Sequence, residues 1–358
     1  MTRADRLAAK VARRDLDALL VTEPFNLRYL TGFGGTNGLA LLEAADDGVR
    51  RFVTDFRYVE RAAQEVESFD RLEGERDLLE SVGPALPERR PLRLGFDDAH
   101  MSVRAHRRLS EALGDVELVA AGGLVEELRA VKEPGERERI AAAAALADEA
   151  LSAVMRDGLA GRRETEVALA LEDEIRHRGA QAPSFPSIVA AGPHGALPHA
   201  EPHDAVIPSD VLVIVDWGAR LDGYCSDCTR TLASGRPDAE ATEVYELVIR
   251  AQRAGLEAVR PGPSGREVDR AAREVIEAAG HGERFGHGLG HGVGLEVHEA
   301  PRLSKAADDP LQAGNVVTVE PGVYLPGRFG VRIEDLVVVT DDGAQVLSSH
   351  PKELLAIG

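Results

Sequence analysis

Apolar positions recur at helical spacing over residues 3–14, then cluster or alternate in the short runs DALLVTE (17–23), GLALLE (38–43) and RRFVTDF (50–56). Helical spacing returns over 58–66, 76–86 and 103–113, interleaved with the runs LRLGF (92–96) and VELVAA (116–121). Spacing of i, i+3, i+4 marks an amphipathic helix and period two a half-buried strand. Residues 1–125 are therefore expected to form an α/β layer domain. Within it, NLRYLTGFGGTNG (26–38) reads as an aromatic loop whose rings pack.

The rhythm changes at GGLVEELRAVKEPGE, where Pro134 and Gly135 punctuate the chain. Proline is at home in a first helical turn, so an alanine-rich helix is expected from there to about residue 156. A second helix over 164–179 precedes FPSIVAAGPHGALPHAEP, a short strand and a loop holding His194, His199 and His203. A lone loop histidine is usually just solvated, but three so close together suggest that at least one faces a site. Helices over 239–259 and 265–279 come after the next strands, so each half of this region reads as two helices followed by strands. A chain of 358 residues exceeds a typical single core, which agrees with a second domain over 126–358.

One stretch carries the first chemistry. VLVIVDWGARLDGYCSDCTR (211–230) opens with five apolar residues and sets Asp216 directly after them. Asp227 lies in the following run, with turn signals at Gly218, Asp222 and Gly223 between. Two β-rich runs with a short glycine-containing link form an antiparallel hairpin, which is expected to place the two carboxylates roughly opposite each other. For Asp216 alone, a strand-end aspartate capping a turn is the simpler reading. Two facing carboxylates after a buried run repel, and a buried unpaired ion neutralises or acquires a cation; a bound metal explains the pair better.

Downstream residues complete the candidate set. FGHGLGHGVGLEVHEAPR has glycine at 286, 288, 290, 292 and 294, but 291, 293 and 295 are His, Val and Leu, so no dinucleotide-binding glycine pattern fits. In extended form the alternation puts His287, His291, Val293 and Leu295 on one face, and the glycines opposite let neighbouring backbone approach. NVVTVEPGVY sets Glu320 after another apolar strand, and VRIEDLVVV places Arg332 and Glu334 two apart on one face. Asp216, Asp227, His291, Glu320 and Glu334 make four carboxylates and one imidazole. That oxygen-rich set suits Mn²⁺, Co²⁺ or Fe²⁺ better than Zn²⁺. Four charges are balanced by two divalent ions, and such a pair lowers the pKa of a shared water.

Composition narrows the field only a little. A net charge of −19 argues against non-specific binding to nucleic acid or an anionic membrane. No apolar run approaches the roughly 20 residues of a membrane span, and the first residues lack the apolar core of a signal peptide, so a cytoplasmic protein is expected. Cys225 and Cys228 fall on opposite faces of an extended strand, which favours packing over a disulfide or redox motif.

VDWGARLDGYCSDCTRT, GHGLGHGVGLEVHE, TVEPGVY and VRIED together resemble the signature blocks of the pita-bread metallopeptidases, in the Xaa-Pro dipeptidase (prolidase) and aminopeptidase P branch. The resemblance implies a creatinase-like α/β domain over 1–125 and a pita-bread domain with a curved antiparallel sheet over 126–358, an α/β (α+β) chain. It implies that Asp216 and Glu334 bind one or both ions, Asp227 binds in bidentate fashion, His291 binds one ion, and Glu320 bridges or shuttles a proton. His199 would contact substrate and His298 would stabilise the tetrahedral intermediate. His287, Tyr324 and Arg332 would support the site or touch substrate, and Arg302 would meet the substrate carboxylate. A homodimer, whose N-terminal domain edges the neighbour's active site, is also implied. The expected activity is hydrolysis before proline in a di- or oligopeptide, most simply as a dipeptidase. An aminopeptidase P, a metal-dependent hydrolase of another small amide and a non-catalytic binding module on the same fold are the alternatives.

Overall fold

The structure is a computed structural model, and residues 1–45, 48–86 and 93–357 are described. The chain divides into two compact units, Met1–Arg129 and Ala130–Gly358.

In the first unit the order is α1 (Arg3–Arg13), β1 (Ala18–Val21), α2 (Pro24–Thr31), β2 (Gly38–Glu43), β3 (Arg50–Thr54), α3 (Val59–Glu65) and β4 (Asp70–Glu73). A 3₁₀ turn (Leu78–Ser81) leads into α4 (Val82–Ala85), β5 (Arg93–Phe96), α5 (Val103–Leu113), β6 (Glu117–Ala120) and α6 (Leu124–Ala130). The strands form one sheet in the order β4-β3-β2-β1-β5-β6. It is mixed: β1 runs antiparallel to β2 and parallel to β5. Leu20, Leu41, Val53 and Leu94 from its strands pack with Leu109 and Leu113 of α5. Two expectations fail here. Residues 26–31 are helical rather than looped, because Glu23 caps the backbone N–H of Asn26 at 2.6 Å, Pro24 opens the turn and Gly32 closes it at φ +80°. The helix expected over 76–86 reduces to the 3₁₀ turn and the single turn of α4, which holds Gly83 and Pro84. Leu92, the first residue of the expected LRLGF strand, lies outside the described residues.

The second unit runs α7 (Pro134–Val154), α8 (Glu164–His177), β7 (Ala182–Pro183), β8 (Ile188–Ala191), β9 (Leu212–Trp217), β10 (Ala219–Leu221), β11 (Tyr224–Cys225) and β12 (Cys228–Ala233). A second round follows: α9 (Ala239–Ala258), α10 (Gly265–Ala278), β13 (Gly290–Gly292), β14 (Glu299–Leu303), β15 (Val316–Val319), β16 (Gly322–Leu325), β17 (Phe329–Arg332), β18 (Asp335–Val339) and β19 (Ala344–Val346). The named strands of this unit pair antiparallel, in the orders β12-β9-β8, β11-β10-β7, β14-β13-β15-β18-β19 and β16-β17. Each helix pair covers its own strands. Leu151, Val167 and Leu171 pack on Val189, Val213 and Val215, while Val248, Ala272 and Ile276 pack on Val317, Val319 and Val337. The repeated two-helices-then-strands order is the one the hydrophobic pattern suggests. Among the described residues no helix is long and apolar enough to cross a membrane.

Candidate metal centre

The hairpin of β9 and β12 forms, but its register differs from the expected one. Asp216 pairs with Thr229, and Asp227 lies two residues before that partner, so the carboxylates are diagonal rather than opposed. The turn explains the shift. It is centred on Asp222 and Gly223, with φ of 49° and 85°, while Leu221 pairs with Tyr224; this is the Asp-Gly geometry that matches strand twist. The midpoint between the two aspartates lies one residue earlier, which offsets them by two. Diagonal neighbours on one face still meet. A carboxylate oxygen from each of Asp216, Asp227 and Glu334 lies within 4.8 Å of the others.

The second round of strands brings the other members. Pro321 ends β15 after Glu320, so NVVTVEPGVY is two strands in different sheets rather than one. VRIEDLVVV likewise breaks between β17 and β18: Ile333 donates to Pro321 O at 3.4 Å and Glu334 to Thr229 O at 3.1 Å. That break delivers Glu334 to the hairpin. The expected extended run over 287–295 is short: only Gly290–Gly292 form a strand, and Gly288 and Gly290 line the same cavity as His287 and His291 rather than facing away from it. His291 Nε2 lies 3.6 Å from Asp227 Oδ2 and 3.2 Å from Glu320 Oε1. All five expected ligand residues thus line one cavity of about 440 Å³.

His199, His287, His298, Arg302 and Arg332 line it too. Tyr324 stands behind, its hydroxyl 3.0 Å from both His287 Nε2 and Arg332 Nη1. Arg332 donates to Asp216 Oδ2 at 2.6 Å and, through Nε, to Thr229 Oγ1 at 3.0 Å. Thr229 in turn donates to Glu334 Oε2 at 2.8 Å. Thr229 and Thr318 were not among the expected site residues; the Thr318 hydroxyl accepts from His291 N and donates to Glu320 Oε1. Each threonine lies two residues from a carboxylate that flanks its strand, the one signal that points to them. Phe185, Ile188, Pro198 and Ser304 complete the lining and carry no mark in the sequence. Of the three clustered histidines, His199 alone lines this cavity.

Electrostatics separates the carboxylates. Burial, then repulsion from Glu334 and Asp216, pushes Asp227 well above the usual carboxylate range. Burial and the charges of Glu320 and Asp216 do the same to Glu334. Burial raises Asp216 despite Arg332 beside it. Glu320 goes the other way: its burial is outweighed by the hydrogen bond and charge of His291, which hold it at about 2. Burial, with His291 and Arg302 nearby, pushes half-buried His298 down to about 4. One guanidinium, that of Arg332, does not balance four carboxylates, and the donors fit a metal. Asp216 Oδ1 is buried without a hydrogen-bond partner, and Asp227 and Glu334 are 5% and 2% exposed. An orphaned carboxylate oxygen among buried carboxylates and one imidazole belongs to the donor set of hard-to-borderline divalent ions.

Residues 138–341 match the model of metallopeptidase family M24. The chain belongs to family M24. Residues 3–131 of this M24 chain match the creatinase/prolidase N-terminal domain. It is 34% identical over 357 residues to an Xaa-Pro dipeptidase of Pyrococcus furiosus, covering 99% of each chain. Among solved structures, the Xaa-Pro dipeptidase from Bacillus anthracis superposes with a TM-score of 0.95 at 38% identity over 99% of each chain. The X-Pro aminopeptidase from Thermotoga maritima superposes at 0.89, with 34% identity over 97% of this chain and all of that one. The expected architecture, a creatinase-like domain followed by a pita-bread domain of α+β type, is therefore found, and the M24 chain is a metallopeptidase by family.

Proposed function

We propose that this chain hydrolyses the peptide bond before proline, as an Xaa-Pro dipeptidase that holds two divalent ions, Mn²⁺ in first place. The observation that carries the reading is the convergence of four carboxylates and one imidazole on one cavity, with Asp216 Oδ1 unpartnered. Asp216, Asp227, His291, Glu320 and Glu334 would hold the ions. When bound, the ions supply an activated water and Lewis-acid polarisation of the scissile carbonyl.

The chain's own residues do the rest. Glu320 takes the proton from the water and delivers it to the proline nitrogen, a tertiary amide with no hydrogen of its own. His298, at the cavity wall, donates to the developing oxyanion. Arg332 fixes Asp216 and is itself fixed by Tyr324 and Thr229. Exposed His199 and Arg302 meet the substrate, the Arg302 guanidinium pairing with the substrate's carboxylate. His287 holds the Tyr324 hydroxyl. A catalytic domain over 126–358, a homodimer in which the neighbour's N-terminal domain edges the cavity, and cytoplasmic residence belong to the same proposal. Two thiols that stay unpaired suit a reducing compartment.

The likeness to the Thermotoga maritima aminopeptidase favours a second reading, removal of the first residue from longer Xaa-Pro peptides. Cleavage of Ala-Pro and Ala-Pro-Ala by the Mn²⁺-loaded protein separates the two. The dipeptide is expected to turn over faster, and Asp227→Asn to lose about 10²-fold or more of kcat/KM. If the loaded protein leaves both peptides intact, the reading is wrong.

A further inference from the structure

A second group of metal-seeking side chains lies apart from the cavity lining. Glu164, the first residue of α8, is 1% exposed and aims its carboxylate under the 192–207 segment. Its Oε1 accepts from Ala191 N at 2.8 Å and its Oε2 from His203 N at 3.2 Å. Two imidazoles then converge on the same Oε2, with His194 Nδ1 at 2.8 Å and His203 Nδ1 at 2.5 Å. The rings stack with centroids 3.9 Å apart and planes inclined by 20°. One ligand atom from each of the three residues lies within 4.8 Å of the other two.

We propose that Glu164, His194 and His203 form a separate site for an imidazole-seeking divalent ion, Zn²⁺ first. Two arguments carry it. Without a cation, one carboxylate oxygen has to serve both Nδ1–H groups and the His203 N–H together; one divalent ion would instead draw both Nδ1 lone pairs and Oε2 to itself, with its charge between the rings. The donor set of two nitrogens and one oxygen also differs in kind from the oxygen-rich centre, and imidazole ligands favour Zn²⁺, Ni²⁺ and Cu²⁺. His203 is 49% exposed, which leaves the ion a solvent-facing coordination position and a path of entry. His194 and His203 bracket His199, so an ion here pins both ends of the segment that carries a cavity residue. The site itself stands whether or not His199 meets a substrate.

Glu164 also holds backbone, so the histidines are the residues to change. Wild-type protein and the His194→Ala/His203→Ala double variant are stripped, loaded with Mn²⁺, exposed to Zn²⁺ and counted by elemental analysis after gel filtration. Wild type is expected to retain one more Zn²⁺ per chain, and the single variants to bind that ion at least tenfold more weakly in competition with a chromophoric chelator. Because the readout is a difference, Zn²⁺ entering the catalytic centre cancels. Cu²⁺ in place of Zn²⁺ should show electron-spin coupling to two nitrogens that the double variant lacks. Should the double variant fail to fold by circular dichroism, His203→Asn, at a half-exposed position, replaces it. Equal zinc counts and affinities in wild type and variant overturn the proposal.

Discussion

Thr229 decides how firmly the carboxylates are held. Its hydroxyl donates to Glu334 Oε2 at 2.8 Å and accepts from Arg332 Nε at 3.0 Å, so one oxygen ties a ligand carboxylate to the guanidinium that fixes Asp216. Valine has the same shape and no hydroxyl. Thr229→Val is expected to leave the fold intact while weakening metal affinity or kcat/KM about 10–100-fold, the usual cost of removing a group that orients a metal ligand. Equilibrium dialysis against Mn²⁺ measures it, and an unchanged dissociation constant would refute the role. Among the proposed ligands, Asp216 and Glu320 were legible because each directly follows an apolar run, where a buried charge has to be explained. Thr229 was not, because a threonine inside a strand is ordinary. Its importance comes from Arg332, 103 residues away along the chain.

At the scale of elements, the glycines around His291 set how closely strands approach. A Cβ on Gly290 would stand 2.0 Å from Thr318 O, and one on Gly292 2.1 Å from Ala300 O. Both obstacles are backbone atoms of paired strands, so neither can swing away. Gly290→Ala should therefore push β13 off β15 and displace His291, whose N–H bonds Thr318 Oγ1 at 3.0 Å. Overpacking of this kind costs about 1–3 kcal/mol. Urea unfolding should show that loss together with weakened metal binding, whereas a wild-type midpoint would mean the strands have slack. The close approach was legible in the repeated glycines; the short extent of β13, with its bulge after His291, was not. Helix α2 escaped for a related reason. Eight residues are too few to establish a helical period, and what marks this helix lies at its ends, Glu23–Pro24 and Gly32. The hairpin shows the same limit: its existence followed from alternation, but its register followed from which two residues take positive φ.

For the whole molecule, the division into two units makes metal binding a local source of stability. The carboxylates with raised pKa, Asp216, Asp227 and Glu334, all belong to the unit Ala130–Gly358. Their mutual repulsion opposes folding of that unit until a cation offsets it. An ion that binds only the folded state, held at a hundredfold excess over its dissociation constant, adds about 2.7 kcal/mol. For a unit of this size each kcal/mol moves the midpoint by about 2–4 °C. Adding Mn²⁺ to the stripped protein should thus raise one calorimetric transition by about 5–10 °C per ion and leave the transition of Met1–Arg129 in place. Mn²⁺ suits the oxygen-rich centre rather than the histidine pair, so the shift reports on the former. Asp227→Asn should abolish most of it while raising the stability of the stripped protein, since it removes one of the repelling charges. If Mn²⁺ moves neither transition, the carboxylates are not a metal cage and their burial needs another cause; equal shifts of both would mean that the two units unfold together.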